Sequence, residues 1–316
     1  MGGIWELNKS LRQRIGQGME ARMTFLAEDS DGSRREYVRL FVPYQRLILL
    51  GGGHIACELC RFASQLDFDV VVADDRQEFA NEQRFPDAVR TISGNYEEII
   101  EKLQITAYDY VAVMTRGHSC DSLCLRRILE GTMPRYLGMV GSRRKVALVM
   151  EMLEQEGYDR ECLKRVEAPI GLMIGGRTPA EIAVSILAQL IQYRNTGISR
   201  EENLLDYCNS DKRLLEYMET AREAYVLVVV LEKSGSAPVS GGAIMAVDQN
   251  GIAAGTVGGG RGEFDAAETA RQVLQDGISR MLRVNMTNAD AAGQGMICGG
   301  TLKLWLQYCA PENEMV

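Results

Sequence analysis

Residues 47–56 read Leu47-Ile48-Leu49-Leu50-Gly51-Gly52-Gly53-His54-Ile55-Ala56. Four apolar residues in a row suit a strand buried on both faces of a parallel sheet. A Gly-x-Gly-x-x-Ala turn follows, and a helical pattern at 54–66 follows the turn. Strand, glycine turn and helix together form a phosphate cradle: Gly51 permits the tight turn, Gly53 lets backbone approach a phosphate, and Ala56 allows close helix–strand packing. Amides at the helix N-terminus would face the anion. Asp74 ends the next apolar run, Val70 to Ala73, roughly 20 residues on, where an acid can accept from a ribose or similar diol. The cradle thus nominates Gly51, Gly52, Gly53, His54 and Asp74. The competing reading is a glycine-rich turn that binds nothing.

Working outward, apolar runs recur at Val111–Met114 and Tyr136–Val140, with helical patterns at 96–103, 121–130 and 142–156. A last helix is expected from Thr178 to about Arg194, because Thr178-Pro179-Ala180-Glu181 has the form of a capping box with proline at the first helical position. This alternation predicts a Rossmann-like, doubly wound α/β domain. Before it, residues 1–18 read as a short helix or tail. Residues 21–29 and 35–42 flank Ser30-Asp31-Gly32-Ser33 as a hairpin, and Pro43 ends its second strand.

Beyond it, residues 195–222 are polar and mostly helical in pattern, a connection to a second domain. Val226–Leu231 is a strand, Ile244–Asp248 and Ile252–Thr256 form a hairpin around Gln249-Asn250-Gly251, a helix is expected at 263–276, and Leu302–Gln307 is a final strand. The expected organisation is an N-terminal segment over 1–44, a Rossmann-like domain over 45–200 and a smaller α+β domain over 201–316.

The formal net charge of −8 argues against a nucleic-acid partner. No stretch approaches the ~20 apolar residues of a membrane helix, and Met1 to Gln17 lacks a signal-peptide core. Eight cysteines without an export signal read as reduced thiols of a cytoplasmic protein. The two histidines, His54 and His118, argue against a histidine-dominated zinc site.

Other strand ends carry chemistry of their own. Thr115-Arg116-Gly117-His118-Ser119-Cys120-Asp121 follows a buried strand, where ligands of open α/β sheets bind. Thr115 and His118 are candidate contacts, and Ser119 or Asp121 can equally cap the next helix. Gly141-Ser142-Arg143-Arg144-Lys145 ends another strand, either drawing a phosphate or forming a solvated basic face. Glu181 reads as a cap. Cys57 with Cys60, and Cys120 with Cys124, read as small packing residues within helices.

In the second half, Gly255-Thr256-Val257-Gly258-Gly259-Gly260-Arg261-Gly262-Glu263 puts a carboxylate beside bare backbone. Glu263 is either a dipole-stabilising acid or a ligand-facing base. Cys298, between Met296-Ile297 and Gly299-Gly300, is open to a closely approaching ligand, and its thiol can coordinate a soft metal or exchange sulfur. The loop Ser234-Gly235-Ser236-Ala237-Pro238 is expected to join this site.

The combined pattern resembles the XdhC/CoxI family, accessory proteins that mature molybdenum hydroxylases such as xanthine dehydrogenase. The elements that carry the resemblance are Gly51 to Ala56, Asp74-Asp75-Arg76 with Arg84-Phe85-Pro86-Asp87-Ala88, Gly138 to Lys145, Pro169-Ile170-Gly171-Leu172, Gly176-Arg177-Thr178-Pro179-Ala180-Glu181-Ile182-Ala183, Gly235-Ser236-Ala237-Pro238, Gly255 to Glu263 and Gly295 to Gly300. It runs from Arg46 to Tyr308. Two departures stand out. The Rossmann-type half comes first here, the reverse of the usual family order, and Thr115-Arg116-Gly117-His118 stands where many relatives put histidine directly after threonine.

The resemblance implies binding of the molybdenum cofactor, as molybdopterin or its dinucleotide form, protection during exchange of an oxo for a sulfido ligand, and delivery to a molybdenum hydroxylase apoenzyme, with a cysteine desulfurase as sulfur source. It places the cofactor's reactive end near Cys298 and Glu263, with Cys298 toward the molybdenum, and its phosphate region at Gly51–Gly53. Gly258, Gly259, Gly260 and Gly299 would line the same cofactor, and a homodimer is the expected assembly. An NAD(P)-dependent oxidoreductase, with Asp74 selecting NAD, is the competing function. A nucleotide sensor without catalysis is the third.

Overall fold

The computed structural model describes residues 11–29, 32–196, 205, 211–235, 239–285 and 300–310. The chain divides into two compact units, one of Tyr44–Gly197 and one of Met1–Pro43 with Ile198–Val316.

In the discontinuous unit, β1 (Ala21–Glu28) and β2 (Arg34–Phe41) form an antiparallel hairpin. Ala21, Met23, Phe25 and Ala27 are buried while the residues between them are exposed, the two-residue period of a strand with one wet face.

The continuous unit holds a parallel sheet of β3 (Arg46–Leu50), β4 (Asp69–Asp74), β5 (Arg90–Ser93), β6 (Tyr110–Val113), β7 (Tyr136–Met139) and β8 (Val166–Glu167), in the order β5-β4-β3-β6-β7-β8. Successive strand residues feed opposite cores. Ile48, Leu50, Val71 and Val111 pack with α2 (Tyr96–Leu103), α3 (His118–Leu129) and α4 (Arg143–Gln155), while Leu47, Leu49, Val70, Val72 and Ala112 face the other side. There they meet Ala56, Leu59 and Ala63 of α1 (His54–Ser64), and after the short α5 (Arg160–Leu163) also Ala183, Ile186 and Leu190 of α6 (Pro179–Asn195). Burial on both faces is why these strands read as unbroken apolar runs. The fold is Rossmann-like and doubly wound, as expected. Thr178 and Glu181 cap α6 reciprocally, with Pro179 at its first position.

The chain winds from β3 through β4 to β5, then returns to lay β6, β7 and β8 on the other side of β3. Such a reversal opens a crevice between the carboxyl ends of β3 and β6.

The discontinuous unit continues with α7 (Lys212–Thr220) and an antiparallel sheet of β9 (Tyr225–Gly235), β10 (Ile244–Asp248), β11 (Gly251–Gly255), β12 (Arg280–Asn285) and β13 (Gly300–Cys309), in the order β11-β10-β9-β13-β12. α8 (Gly260–Asp276) buries Ala266, Ala270 and Val273 against Val226, Val228, Val230, Met245, Leu304 and Leu306. The polar connector expected at 195–222 is helical over Lys212–Thr220, with Leu214, Leu215 and Met218 buried.

Candidate functional site

Gly51 has φ +122°, and a Cβ there would sit 2.2 Å from the Met114 carbonyl oxygen. At Gly52 a Cβ would lie 1.8 Å from the Phe79 carbonyl oxygen. These glycines let β3's turn pass under two neighbouring backbones. Gly53 differs: a Cβ there would meet nothing within 4 Å. The open side of the cradle is therefore at Gly53. Ala56 is fully buried.

Asp74 is 1% exposed, and its carboxylate accepts the Gly52 N–H at 2.8 Å, the Arg76 N–H at 3.1 Å, and the Arg76 Nε and Nη2 at 2.9 and 3.1 Å. A carboxylate offers about four lone-pair positions, so all are used. Burial alone would raise this carboxyl's pKa, but the hydrogen bonds from Arg76 and from the Gly52 and Arg76 amides outweigh it and hold the group below the ordinary aspartate value. In this geometry Asp74 braces the cradle from beneath. Arg84 braces it from the side, donating from Nε to the Gly52 carbonyl at 3.0 Å.

Across the crevice, Thr115 is nearly buried and donates from Oγ1 to Asp121 at 2.7 Å. Asp121 is 0% exposed and pairs with Lys145, which also donates to the Val140 carbonyl at 3.2 Å. Of the three cations at 143–145, then, Lys145 turns inward to stitch α4 to α3, while Arg143 and Arg144 stay exposed. Ser142 caps α4 by accepting from the Lys145 N–H, and Gly141 passes close to the Lys145 side chain. His54 and His118 are exposed first residues of α1 and α3.

One rim thus collects Gly51–His54, Thr115 to His118 and Gly141 to Arg143, at the carboxyl ends of β3, β6 and β7. The sequence put Arg76 and Arg84 only among the elements of the family resemblance, with no role of their own, and offered Asp121 only as a cap. The closeness of Arg76 to a strand-ending aspartate was a usable signal. Arg84 had none, because only the turn after β4 brings it to Gly52.

In the discontinuous unit, Gly258, Gly259 and Gly260 have φ of +109°, +71° and +61°, a run only glycine tolerates freely. The amides so turned do not face solvent alone. Glu263 accepts from the Val257 N–H at 3.1 Å, the Gly259 N–H at 3.2 Å and the Thr256 hydroxyl, so it closes the loop as an internal anion. A cleft of about 410 Å³ beside this loop is lined by Arg39, Lys233, Ser240, Thr256 and Gly258 among others. The structure thereby gathers the glycine loop and Lys233 of β9 at one cleft, and Gly235 ends the same strand two residues on. Cys298, Gly299 and Ser236 lie outside the described residues.

Among the other thiols, burial raises Cys57, pushes Cys60 and Cys309 up to about 12, and raises Cys124 further. Thiols so placed pack rather than react.

No helix among the described residues is long and apolar enough to cross a membrane. Residues 47–190 match the XdhC Rossmann domain, and residues 218–285 match the XdhC and CoxI family. An uncharacterized Escherichia coli protein, YqeB, is 32% identical over 189 residues, which is 59% of this chain and 34% of YqeB. A probable xanthine dehydrogenase component of Bacillus subtilis is 27% identical over 164 residues, covering 52% of this chain and 47% of that protein. The crystal structure of a xanthine dehydrogenase from Bacillus halodurans aligns over 55% of this chain and 50% of its own at 30% identity, with a TM-score of 0.48. The chain spans a third to a half of the length of these relatives. With both of its halves matched, in the order Rossmann domain then CoxI-type region, the chain belongs to the XdhC/CoxI family.

Proposed function

We propose that this chain acts in the maturation of a xanthine-dehydrogenase-type molybdenum hydroxylase, as a carrier that binds the molybdenum cofactor, shields it during sulfuration and hands it to the apoenzyme. The observation that carries this reading is the pairing, in one chain, of an XdhC Rossmann domain with a CoxI-type region, each bearing its own glycine loop. The crevice fits the phosphate-bearing end of such a cofactor, in mononucleotide or dinucleotide form. Gly53 leaves room for an approaching group, and the amides opening α1 are free of side-chain caps. In the other unit, Glu263 keeps the glycine loop in shape beside a cleft at Thr256 and Gly258, and Cys298 remains the thiol candidate for the metal by its sequence context. When bound, the cofactor supplies the oxo ligand that sulfuration replaces. A cysteine desulfurase and the hydroxylase apoenzyme are the expected protein partners, and a homodimer the working assembly.

The test is anaerobic co-expression in a molybdenum-replete host, then metal analysis and pterin fluorescence of purified wild type beside Cys298→Ser. Molybdenum and pterin together in the wild type, and less of both in the variant, are the expected result. Neither in the wild type refutes the carrier reading.

A further inference from the structure

Two guanidinium groups flank one aromatic ring beside the cradle. Arg76 Cζ lies 3.6 Å from the Phe79 ring centroid, and Arg84 Cζ lies 5.1 Å from it. The two cations are not equivalent. Arg76 is neutralised by Asp74, which it grips through two nitrogens, with Asp75 at 3.5 Å. Arg84 spends only Nε, on the neutral carbonyl of Gly52, and forms no ion pair among the described residues. Its charge and its two Nη groups are unspent, while the guanidinium is positioned by its Nε bond to the cradle and by the rings of Phe79 and Phe85, whose centroids lie 5.1 and 5.8 Å from Cζ.

We propose that Arg84 is the anion-recognising side chain of the crevice, and that the crevice takes the phosphate or pyrophosphate of a ligand without reading a ribose diol. A guanidinium fixed at Nε presents a planar fork that matches two phosphate oxygens, and little side-chain freedom is left to lose on binding. Its anchor is the carbonyl of Gly52, and the next residue, Gly53, is the one with open space. The diol reader expected at this place in a Rossmann crevice is Asp74, whose lone pairs are filled by four donors within the fold. A ribose would have to displace Arg76 or the Gly52 amide from a carboxylate that is 1% exposed. Affinity should therefore follow the phosphate and ignore the sugar hydroxyls, which also removes the ground for selecting NAD. The inference rests on the crevice alone, so failure of cofactor retention and failure of pyrophosphate binding are separate results.

The experiment is calorimetric titration of the full chain with inorganic pyrophosphate, ADP and 2′,3′-dideoxy-ADP. Arg84→Met and Arg84→Lys are compared with wild type, and Lys102→Met makes the same charge change at the exposed end of α2. Arg84→Met should weaken pyrophosphate and ADP by about tenfold or more, the size of losing a charge-assisted donor pair, with Arg84→Lys intermediate. Lys102→Met should change neither, and dideoxy-ADP should bind within about twofold of ADP, less than one hydrogen bond is worth. The proposal is overturned if wild type does not bind pyrophosphate, if Arg84→Met binds as wild type or loses no more than Lys102→Met, or if removing the sugar hydroxyls costs about tenfold. Should Arg84→Met prove unfolded by circular dichroism, Arg84→Lys and the dideoxy comparison on wild type decide.

Discussion

Gly52 and Gly53 are neighbours in sequence with opposite reasons to be glycine, and alanine separates them. At Gly52 an added Cβ would lie 1.8 Å from the Phe79 carbonyl oxygen and 2.8 Å from its carbon. A comfortable C···O contact is about 3.3 Å, so the overlap is roughly 1.5 Å and backbone must move. Overpacking of this kind costs about 3 kcal/mol when the obstacle is main chain. Moving Gly52 also disturbs the bond from its amide to buried Asp74, adding about 1 kcal/mol. A loss of about 4 kcal/mol in a unit of this size lowers its melting temperature by roughly 8–16 °C. At Gly53 the φ is −70° and the space is open, so alanine fits without strain and should leave stability unchanged or raise it by about 0.4–1 kcal/mol. Scanning calorimetry of the full chain reads both variants. Equal melting temperatures for Gly52→Ala and Gly53→Ala, or a larger loss at Gly53, would refute this account of the cradle. Gly53→Val then completes the set: it should fold normally and lose pyrophosphate affinity, because its side chain fills the approach to the amides.

The other predictions concern the struts around the crevice and the thiols. Lys145→Met strands the buried carboxylate of Asp121 and should cost about 3 kcal/mol by denaturant titration, whereas an unchanged midpoint would mean that the ion pair is idle. The Asp74 carboxyl is held below its ordinary 3.8, so its contribution to stability is present above that pH and is lost only as pH falls through the lower folded value. An NMR titration midpoint above 3.8 would contradict the four-donor arrangement. At pH 8, Cys60, Cys124 and Cys309 should resist iodoacetamide in the native protein and react once it is unfolded, as read by mass spectrometry; native labelling at the unfolded rate would defeat the argument from burial. Glu263→Gln removes the internal anion of the second glycine loop and should cost about 1–2 kcal/mol while leaving the sheet's circular dichroism intact.

The sequence was sufficient for the parallel sheet wherever a strand is apolar throughout, since burial on both faces leaves no polar position to blur the run. β3, β4, β6 and β7 were legible for that reason, and α6 because its capping box is local chemistry. β5, with its exposed Arg90, the two-residue β8 and β12, whose apolar residues are interrupted by Arg283 and show no two-residue period, escaped notice. Short or edge strands carry too little apolar surface to announce themselves. The same holds for the site. The glycine turn and the positions of Asp74, Thr115 and Lys145 could be read in order along the chain, because loops at the carboxyl ends of such strands converge by topology.

Orientation was not written in that order. Asp74, expected to face a diol, turns under the cradle to Arg76; Lys145, expected either to draw a phosphate or to join a solvated basic face, turns in to Asp121; Glu263 fills its own glycine loop; and Arg84 reaches Gly52 across 32 residues. Residue type and spacing determine which charges are present and on which strand end, but a charge takes the partner that folding brings within hydrogen-bond distance, and only the tertiary structure decides which one that is.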